Sequence, residues 1–428
     1  MEQAERNRLE AFRQLRKEIR GSEEYLIVGI DVAKDRHHAF FGTATGKTVL
    51  KRFVFDNTYE GFRKLLDQTE ALRVRHQLSK VVYGMEPTAD YHKPLGEGLI
   101  ELGRNVVLVS GVTVKRNRES LDGRWDKHDG KDSANVADLV SQGKCLYYEY
   151  PSPALRGLRG LLSLKRRLKR QEHSNRVRIR NHLIAQYFPE MDRSYDRLGA
   201  EGLSIVRWCL PASEIARLDV DPFIERVTSR RISKEKRRRL GEIWEKAAES
   251  IGCHGVPGID HEARVMVEGL NQIRATMKET ERKIQDLCEQ FPEYNFLLTI
   301  PGFGPDVSAK VLGAIGAPDR FDNRSQVLKL AGLDLSADRS GKDSDKAIPE
   351  ISKRGKADLR YALYQAAFIA STKNQDFIRY YTSKLRGREK EKGIHGKILV
   401  KLSAKMLLTA WTLMKKKEPY DPSYLTRD

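Results

Sequence analysis

The chain has 428 residues, of which 39% are hydrophobic, so it is long enough for two to four domains with substantial apolar cores. Its formal net charge of +19 indicates a polyanionic partner, and nucleic acid is the commonest one. The sequence has no lipidation motif, no signal peptide and no apolar run near the roughly 18 residues of a spanning helix, which argues against a membrane partner.

The chain is predicted to begin with a helix at residues 1–21, followed by an α/β domain at residues 22–150. Within this domain YLIVGIDVA, KVVYGME and NVVLVS are apolar, β-rich runs that predict strands, and HHAFFG predicts a hairpin partner for the first. Helical segments lie between these strands, and this alternation is typical of an α/β fold.

Residues 151–290 are predicted to form a helical arm, in which two long helices pair as an antiparallel coiled coil. A basic insertion at about residues 195–255, which includes SRRISKEKRRRL, lies between the two helices. Residues 291–420 predict a third, mainly helical domain with a polar loop rich in Ser, Asp and Gly, and residues 421–428 a tail. The predicted fold class is therefore α/β plus α.

Four acidic residues follow predicted strands or begin a predicted helix. Asp31 and Glu86 each end a strand, and the carboxyl ends of parallel strands meet at one edge of a sheet. Asp129 and Asp132 are three residues apart, which puts both on one face of a helix. Two metal ions about 3.5–4 Å apart in such a cluster clamp the attacking and leaving oxygens of a phosphodiester. Turn capping, helix capping or an exposed loop position are the alternatives for these acids.

Three segments of this region, GIDVAK, MEPTADYHKPL and KHDGKDSANVADL, resemble the DEDD transposases of the insertion sequence 110 family. Further segments, LLTIPGFGP, RFDNRSQVLKLAGLDLS, RSGK, ISKRGKADLR and KILVKLSAKMLL, resemble the second domain of the same family. The resemblance implies a RuvC-like (ribonuclease H-like) domain at residues 22–150. It also implies that Asp31, Glu86, Asp129 and Asp132 are catalytic and bind Mg²⁺, as two ions. Ser133 stands where the family usually has alanine.

The resemblance further implies a nucleophilic serine in the second domain of the family. This domain corresponds here to a C-terminal transposase domain at residues 291–420. The matching stretch is AGLDLSADRSGK, residues 331–342. Ser340 is the predicted nucleophile, and Ser336 and Ser344 are the alternatives. Asp334 stands where the family often has proline. A serine needs an activator to attack phosphate, and the loop contains no histidine, so nearby lysine and arginine side chains or the metal ions are the candidates.

The first long helix of the arm carries ten basic residues and a single acid, Glu172, within about 25 residues. Such a run repels itself unless a polyanion neutralises it, which predicts contact with a nucleic-acid backbone. A solvated helix face is the alternative. With the cations near the predicted serine, the predicted nucleic-acid-binding residues are Arg166, Arg167, Lys169, Arg170, Arg176, Arg178, Lys342, Lys353 and Arg354.

The predicted function is that of a transposase, a site-specific recombinase that cuts and rejoins DNA with Mg²⁺ and a serine. Its predicted partners are the DNA of element ends and target, and the resemblance implies a noncoding guide RNA encoded by the element. Strand exchange needs several active sites, which predicts a homodimer or homotetramer. Four widely spaced cysteines without a CxxC pair indicate a reducing cytoplasm and no zinc site. The predicted location of the transposase is prokaryotic and nucleoid-associated.

Two alternative functions use parts of the same sequence. A RuvC-like nuclease or resolvase needs the four acids but forms no serine ester. A non-catalytic nucleic-acid-binding scaffold needs the basic helix and is indifferent to the acids.

Overall fold

The computed structural model describes residues 3–122, 129–228, 232–336 and 350–426. The chain divides into two compact units, Met1–Ser152 and Pro153–Asp428, here called unit 1 and unit 2. None of the helices in the described ranges is both long enough and apolar enough to cross a membrane.

Unit 1 contains a six-stranded mixed sheet. Its strands are β1 (Tyr25–Asp31), β2 (Arg36–Thr43), β3 (Thr48–Asp56), β4 (Lys80–Met85), β5 (Asn105–Leu108) and β6 (Leu146–Tyr147). Its helices are α1 (Gln3–Glu18), α2 (Tyr59–Arg75), α3 (His92–Glu101), α4 (Gly111–Asp122) and α5 (Asp129–Ser141). The strand order is β3-β2-β1-β4-β5-β6. The first three strands form an antiparallel meander, β4 and β5 run parallel to β1, and β6 is antiparallel to β5.

Strand β1 lies at the centre of this unit. Its residues from Tyr25 to Ile30 are all buried, as expected for a strand covered on both faces. Leu26, Val28 and Ile30 belong to one apolar cluster with α2 and α3, whereas Ile27 belongs to a second cluster with α5. The predicted α/β architecture of the N-terminal region is confirmed.

Unit 2 is mostly helical, as predicted. It begins with α6 (Pro153–Arg178), which continues through a π-helical segment, Ile179–Ile184. Two short helices follow, α7 (Ala185–Tyr187) and α8 (Asp192–Leu198), and the insertion then contains α9 (Ala200–Cys209), α10 (Ala212–Ala216), α11 (Val220–Val227) and α12 (Lys234–Ala248). It is followed by α13 (Ile259–Cys288), α14 (Pro292–Leu298), α15 (Pro305–Ile315), α16 (Arg324–Ala331), α17 (Ala357–Lys373), α18 (Gln375–Leu385), α19 (Ile394–Lys416) and α20 (Ser423–Thr426). A short hairpin, β7 (Leu335–Ser336) and β8 (Glu350–Ile351), lies between α16 and α17.

The two long helices α6 and α13 run antiparallel to each other. Lys165 lies 2.8 Å from Glu281, and Glu172, one to two turns further along α6, lies 3.2 Å from Arg274. The partner position therefore moves backwards along α13 as the chain advances along α6. These are the helices assigned above to an arm, and their action as a coiled-coil arm stays a prediction.

The described residues of unit 2 form two apolar cores. One contains side chains between Ile179 and Ala247, including Phe188, Phe223 and Leu240, together with the first half of α13. The other gathers α14 to α19 around Leu363, Leu402 and neighbouring buried side chains. The insertion therefore shares an apolar core with the π-helical segment and α13, which its basic sequence did not suggest.

Candidate catalytic and nucleic-acid-binding residues

Two of the predicted metal ligands lie at the ends of adjacent parallel strands. Asp31 is the last residue of β1, and Glu86 comes directly after β4. The register pairs Ile30 with Met85, so the next residue of each strand brings Asp31 level with Glu86. Both acids are half-buried. Because neighbouring strands lie about 4.8 Å apart, the two carboxylates are neighbours at one edge of the sheet.

Helix α5 covers the face of the sheet to which these acids belong. Side chains alternate along a strand, so position 29 shares the face of Asp31. Helix α5 approaches Gly29 so closely that a β-carbon there would overlap the carbonyl oxygen of Ser133 and lie 2.6 Å from the nitrogen of Ala137. Asp132 is adjacent to Ser133 and only 4% exposed. The third predicted ligand is therefore buried on the helix that covers this face.

Asp129, the fourth predicted ligand, is the first residue of α5, and its side chain lies outside the described part of the structure. Among the side chains that are described, no group of three or more His, Cys, Asp or Glu is arranged to hold a metal ion. Mg²⁺ in proteins commonly takes one or two carboxylates and completes its coordination with water and phosphate oxygens. The adjacent carboxylates of Asp31 and Glu86 fit an ion bound in that way.

Glu86 also lies against the first residue of α4. A β-carbon at Gly111 would be 2.6 Å from Glu86 Oε1, so the absence of a side chain at Gly111 makes room for the carboxylate. A carboxylate near a helix N-terminus is stabilised by the unsatisfied N–H groups and the helix dipole. The start of α4 therefore helps to define where the Glu86 carboxylate lies.

Two histidines follow Asp31 on β2 and face opposite sides of the sheet. His38 is the direct cross-strand partner of Asp31, so both side chains point to the face covered by α5. His37 is 1% exposed, its ring lies 5.0 Å from that of Phe55, and its Nδ1 accepts a hydrogen bond from the Ala33 N–H at 3.2 Å. Burial lowers the pKa of His37, which keeps it neutral and able to accept this bond.

His38 was not singled out from the sequence, although the HHAFFG hairpin partner was. The signal that identifies it is the residue-by-residue register of β1 and β2, which a strand prediction does not supply. This register makes His38 a further polar residue beside the acidic edge.

A buried amide network joins α4 to α5. Asn117 Nδ2 donates to Asn135 Oδ1 at 2.6 Å and to Asp138 Oδ2 at 2.8 Å. Asn135, which is 1% exposed, donates to the carbonyl oxygen of Val114 at 2.7 Å, and Gln142 Nε2 donates to Asp138. Asp138 therefore helps to hold α4 against α5, the helix that also carries Asp129 and Asp132.

The predicted serine segment is attached to unit 2 by the β7–β8 hairpin. Three predicted residues lie outside the described ranges: Ser340, Lys342 and Ser344. The alternative Ser336 ends β7, and its side chain is not described. Lys353 and Arg354 follow β8 and are exposed. Both cations therefore lie close in sequence to the point where the segment re-enters unit 2.

The basic residues of α6 divide into two groups. The first group is bound to other parts of unit 2. Arg159 donates to the Gly313 carbonyl oxygen at 2.7 Å, Lys165 pairs with Glu281 and Asp306, and Arg166 pairs with Asp358 at 3.1 Å. Beyond α6, Arg180 pairs with Asp192 and Asp196.

Lys165 and Asp306 form the best-defined of these pairs. Burial opposes ionisation of Asp306, but hydrogen bonds from Lys165 and Lys310 outweigh it and hold its pKa below the usual range. Burial likewise opposes the charge of Lys165, and its bonds to Asp306 and Glu281 raise its pKa nonetheless. This lysine is therefore a structural cation.

The second group of cations is exposed and makes no ion pair with any acid of the described ranges. Its members are Arg167, Lys169, Arg170, Arg176 and Arg178. All five belong to the predicted nucleic-acid-binding set, whereas Arg166 of that set has an intramolecular partner in Asp358. The positive charge of α6 that has no acidic partner within the described ranges therefore lies on the exposed surface of its C-terminal half.

Two family models match the chain. A model of DEDD transposases of the IS110 type matches residues 28–189, and a model of the IS116/IS110/IS902 transposase family matches residues 294–382. The chain belongs to the IS110 family of transposases. Membership makes this transposase a DNA-transposing or DNA-recombining enzyme. Residues 190–293, which include most of the insertion and α13, lie between the two matches.

Individual relatives agree with this assignment. A putative transposase of Sinorhizobium fredii is 28% identical over 191 residues, which cover 42% of this transposase and 47% of the relative. An uncharacterized protein of insertion element IS110 from Streptomyces coelicolor is 22% identical over 396 residues, covering 91% and 94%. The pilin gene-inverting protein of Moraxella bovis is 25% identical over 150 residues, covering 34% and 45%. The matches thus span under half the length of the Sinorhizobium and Moraxella relatives and nearly all of the Streptomyces relative.

Proposed function

We propose that this transposase is a site-specific recombinase in which Asp31, Glu86, Asp129 and Asp132 bind Mg²⁺ and Ser340 attacks DNA. The proposal includes a RuvC-like fold for unit 1. The observation that carries it is the level placement of Asp31 and Glu86 on adjacent parallel strands, beneath the helix that bears Asp132. The relative whose name describes it as pilin gene-inverting supports recombination between DNA sites rather than simple cleavage.

Mg²⁺ held by these acids would stabilise the negative charge that develops on a phosphate during substitution. The serine hydroxyl loses its proton and its Oγ forms a bond to phosphorus. The bond from phosphorus to one deoxyribose oxygen breaks, and that oxygen leaves and takes up a proton. One DNA end is then joined to the protein as a serine ester. A hydroxyl of the recombining strand reverses the exchange, which restores the phosphodiester and the free serine.

The acids are tested by single replacement. We expect Asp31→Ala, Glu86→Ala, Asp129→Ala and Asp132→Ala each to abolish recombination in a plasmid assay, because each removes a metal ligand and several kcal/mol of transition-state stabilisation. Nucleic-acid binding and folding should be retained. Asp67→Ala is the matched control, since Asp67 is an exposed acid of α2 in the same unit. Retention of activity by the Glu86→Ala protein would favour the non-catalytic scaffold.

The serine is tested by trapping the ester. We expect Ser340→Ala to lose both recombination and the covalent protein–DNA adduct while still binding metal and nucleic acid. Ser336→Ala and Ser344→Ala are the matched controls, and mass spectrometry of the adduct identifies the modified residue. Adduct-free recombination by all three variants would favour the metal-dependent nuclease without serine chemistry.

The proposal extends to partners that family resemblance implies. These are a noncoding guide RNA from the element, and further copies of the chain in a dimer or tetramer. The exposed cations of the C-terminal half of α6 support a polyanionic partner there. The test is purification from the native host followed by RNA sequencing and mass determination. A specific element-encoded RNA is the expected result, and an RNA-free monomer that recombines DNA would contradict it.

A further inference from the structure

The segment that carries Ser340 leaves and re-enters unit 2 through a narrow base, here called the neck, formed by residues 331–336 and 350–356. Strand β7 pairs with β8 through Leu335 with Ile351 and Ser336 with Glu350. Two backbone hydrogen bonds extend this pairing away from the segment. The Ser352 N–H donates to the Asp334 carbonyl oxygen at 2.8 Å, and the Lys353 N–H donates to the Gly332 carbonyl oxygen at 3.1 Å. The two ends of the segment are thereby held together.

A side-chain bond closes the neck just beneath the strands. Ser352 Oγ donates to Asp334 Oδ1 at 2.5 Å, and the same hydroxyl accepts the Arg354 N–H at 3.3 Å. Isolated two-stranded hairpins are marginally stable in water, and these strands have only two residues each. Leu335 is 70% exposed, so it adds little apolar burial. The polar bond between Asp334 and Ser352 therefore adds to the packing of Leu333 and Ile351 against the core of unit 2 in holding the neck together.

Arg360 of α17 bridges the two chains of the neck from the other end. Its Nη1 donates to the Ala331 carbonyl oxygen at 2.8 Å and to the Lys353 carbonyl oxygen at 3.4 Å. Gly332 has a φ of +64°, and a β-carbon there would lie 2.9 Å from Arg360 Nη1. A side chain at position 332 would therefore be strained and would displace the guanidinium group.

We propose that the Asp334–Ser352 bond and Arg360 are positioning elements for the serine nucleophile, because they fix where its segment leaves unit 2. This inference rests on the proposed function of Ser340. An attacking oxygen misplaced by about 1 Å loses on the order of a hundredfold in rate. Opening of the neck would release residues 336 and 350, the described residues on either side of the serine segment, whereas the acids of unit 1 and the exposed cations of α6 would keep their surroundings.

The test measures the rate of covalent adduct formation in a single turnover, together with DNA affinity and the midpoint of thermal unfolding. We expect Asp334→Ala and Ser352→Ala each to lower the adduct rate about tenfold or more. DNA affinity and the unfolding midpoint should stay close to wild type. The double variant should be no slower than either single one, because both remove the same bond.

Two further variants separate positioning from simple loss of polar groups. Asp334→Asn keeps an oxygen acceptor and should recover most of the adduct rate. Arg360→Met should be slow, because it keeps an unbranched side chain but removes the N–H donor that bonds both carbonyl oxygens. Gln326→Ala is the matched control, since Gln326 Nε2 bonds Asp322 at 3.0 Å in unit 2 outside the neck, and it should react at the wild-type rate.

Wild-type adduct rates in Asp334→Ala and Ser352→Ala would overturn the inference while leaving the serine mechanism intact. A slower rate that is matched by an equal loss of DNA affinity or by a lower unfolding midpoint would also overturn it, in favour of a structural role. A wild-type protein that forms no adduct at all would instead refute the proposed function, and the positioning role with it.

Discussion

The acidic edge of unit 1 and the neck of unit 2 are held in place by different forces. Asp31 and Glu86 extend from buried strands of a six-stranded sheet, whose register is set by backbone pairing and apolar packing. The neck is held by two two-residue strands, a few polar bonds, one arginine and the packing of Leu333 into the core of unit 2. Changes in the packed sheet beneath the acidic edge should therefore act through the stability of the whole unit, whereas changes at the neck should act locally.

The largest expected effect on unit 1 comes from Gly29→Ala. A β-carbon at this position would overlap the backbone of α5 at Ser133, and neither the helix nor the central strand can move without losing core contacts. We expect a loss of about 3 kcal/mol in the free energy of unfolding, measured by chemical denaturation. Recombination should fall with the folded fraction.

The matched control is Gly98→Ala on α3 of the same unit. A β-carbon at Gly98 would make an ordinary contact of 3.5 Å with the Phe62 ring. Alanine favours helix over glycine by roughly 0.5–1 kcal/mol, so this variant should be neutral or slightly stabilised. Equal stability of the two variants would show that α5 does not need the close approach at Gly29.

The sequence predicts the acidic edge better than its surroundings for a physical reason. The runs YLIVGID and KVVYGME are apolar except for the charged residues at their ends, so both strands and their carboxyl ends are recognisable from local pattern. The approach of α5 to Gly29 and the cross-strand pairing of His38 with Asp31 depend on the register between distant segments. A single sequence contains no local signal for either.

For the basic helix, the sequence predicts more unpaired charge than the structure has. Counting charges along α6 gives nine cations and one acid, which overstates its uncompensated charge. The acids that neutralise Lys165 and Arg166 are Glu281, Asp306 and Asp358, more than a hundred residues away in the sequence. The neck is likewise not predictable from local sequence pattern, because Asp334 precedes β7, Ser352 follows β8 and Arg360 lies in α17.

Two double variants test whether the exposed cations of α6 contact nucleic acid. Arg167→Gln with Arg170→Gln removes two exposed cations that have no ion pair within the described ranges. We expect weaker nucleic-acid binding and a log–log salt dependence that is flatter by up to about 2 units, since each lost phosphate contact on duplex DNA removes about 0.9 unit. Fluorescence anisotropy at several salt concentrations measures both quantities.

Its control carries the same change of charge on the paired helix α13. Arg282→Gln with Lys283→Gln removes two cations that pair with Glu279 and Asp286 of their own helix. Exposed pairs of this kind contribute little to stability, so the fold should be retained. An identical salt dependence for the two double variants would mean that the C-terminal half of α6 has no special contact with nucleic acid.

The smallest expected effect comes from Gly111→Ala, which moves a carboxylate without disturbing the sheet. The added methyl group would lie 2.6 Å from Glu86 Oε1, and the end of a flexible side chain can shift where a backbone cannot. We expect the free energy of unfolding to change by less than about 1 kcal/mol, since alanine is a better helix former than glycine. The affinity for Mg²⁺ should fall roughly tenfold, as it does when a group that orients a ligand is altered. Calorimetric titration with Mn²⁺ as a substitute ion measures this loss.

Shortening the acid makes room for the methyl group, so in a Glu86→Asp background the same Gly111→Ala change should weaken binding much less. If Gly111→Ala weakened metal binding equally in both backgrounds, the contact between position 111 and the carboxylate would not be its cause. The position of the Glu86 carboxylate would then not depend on the room left by Gly111.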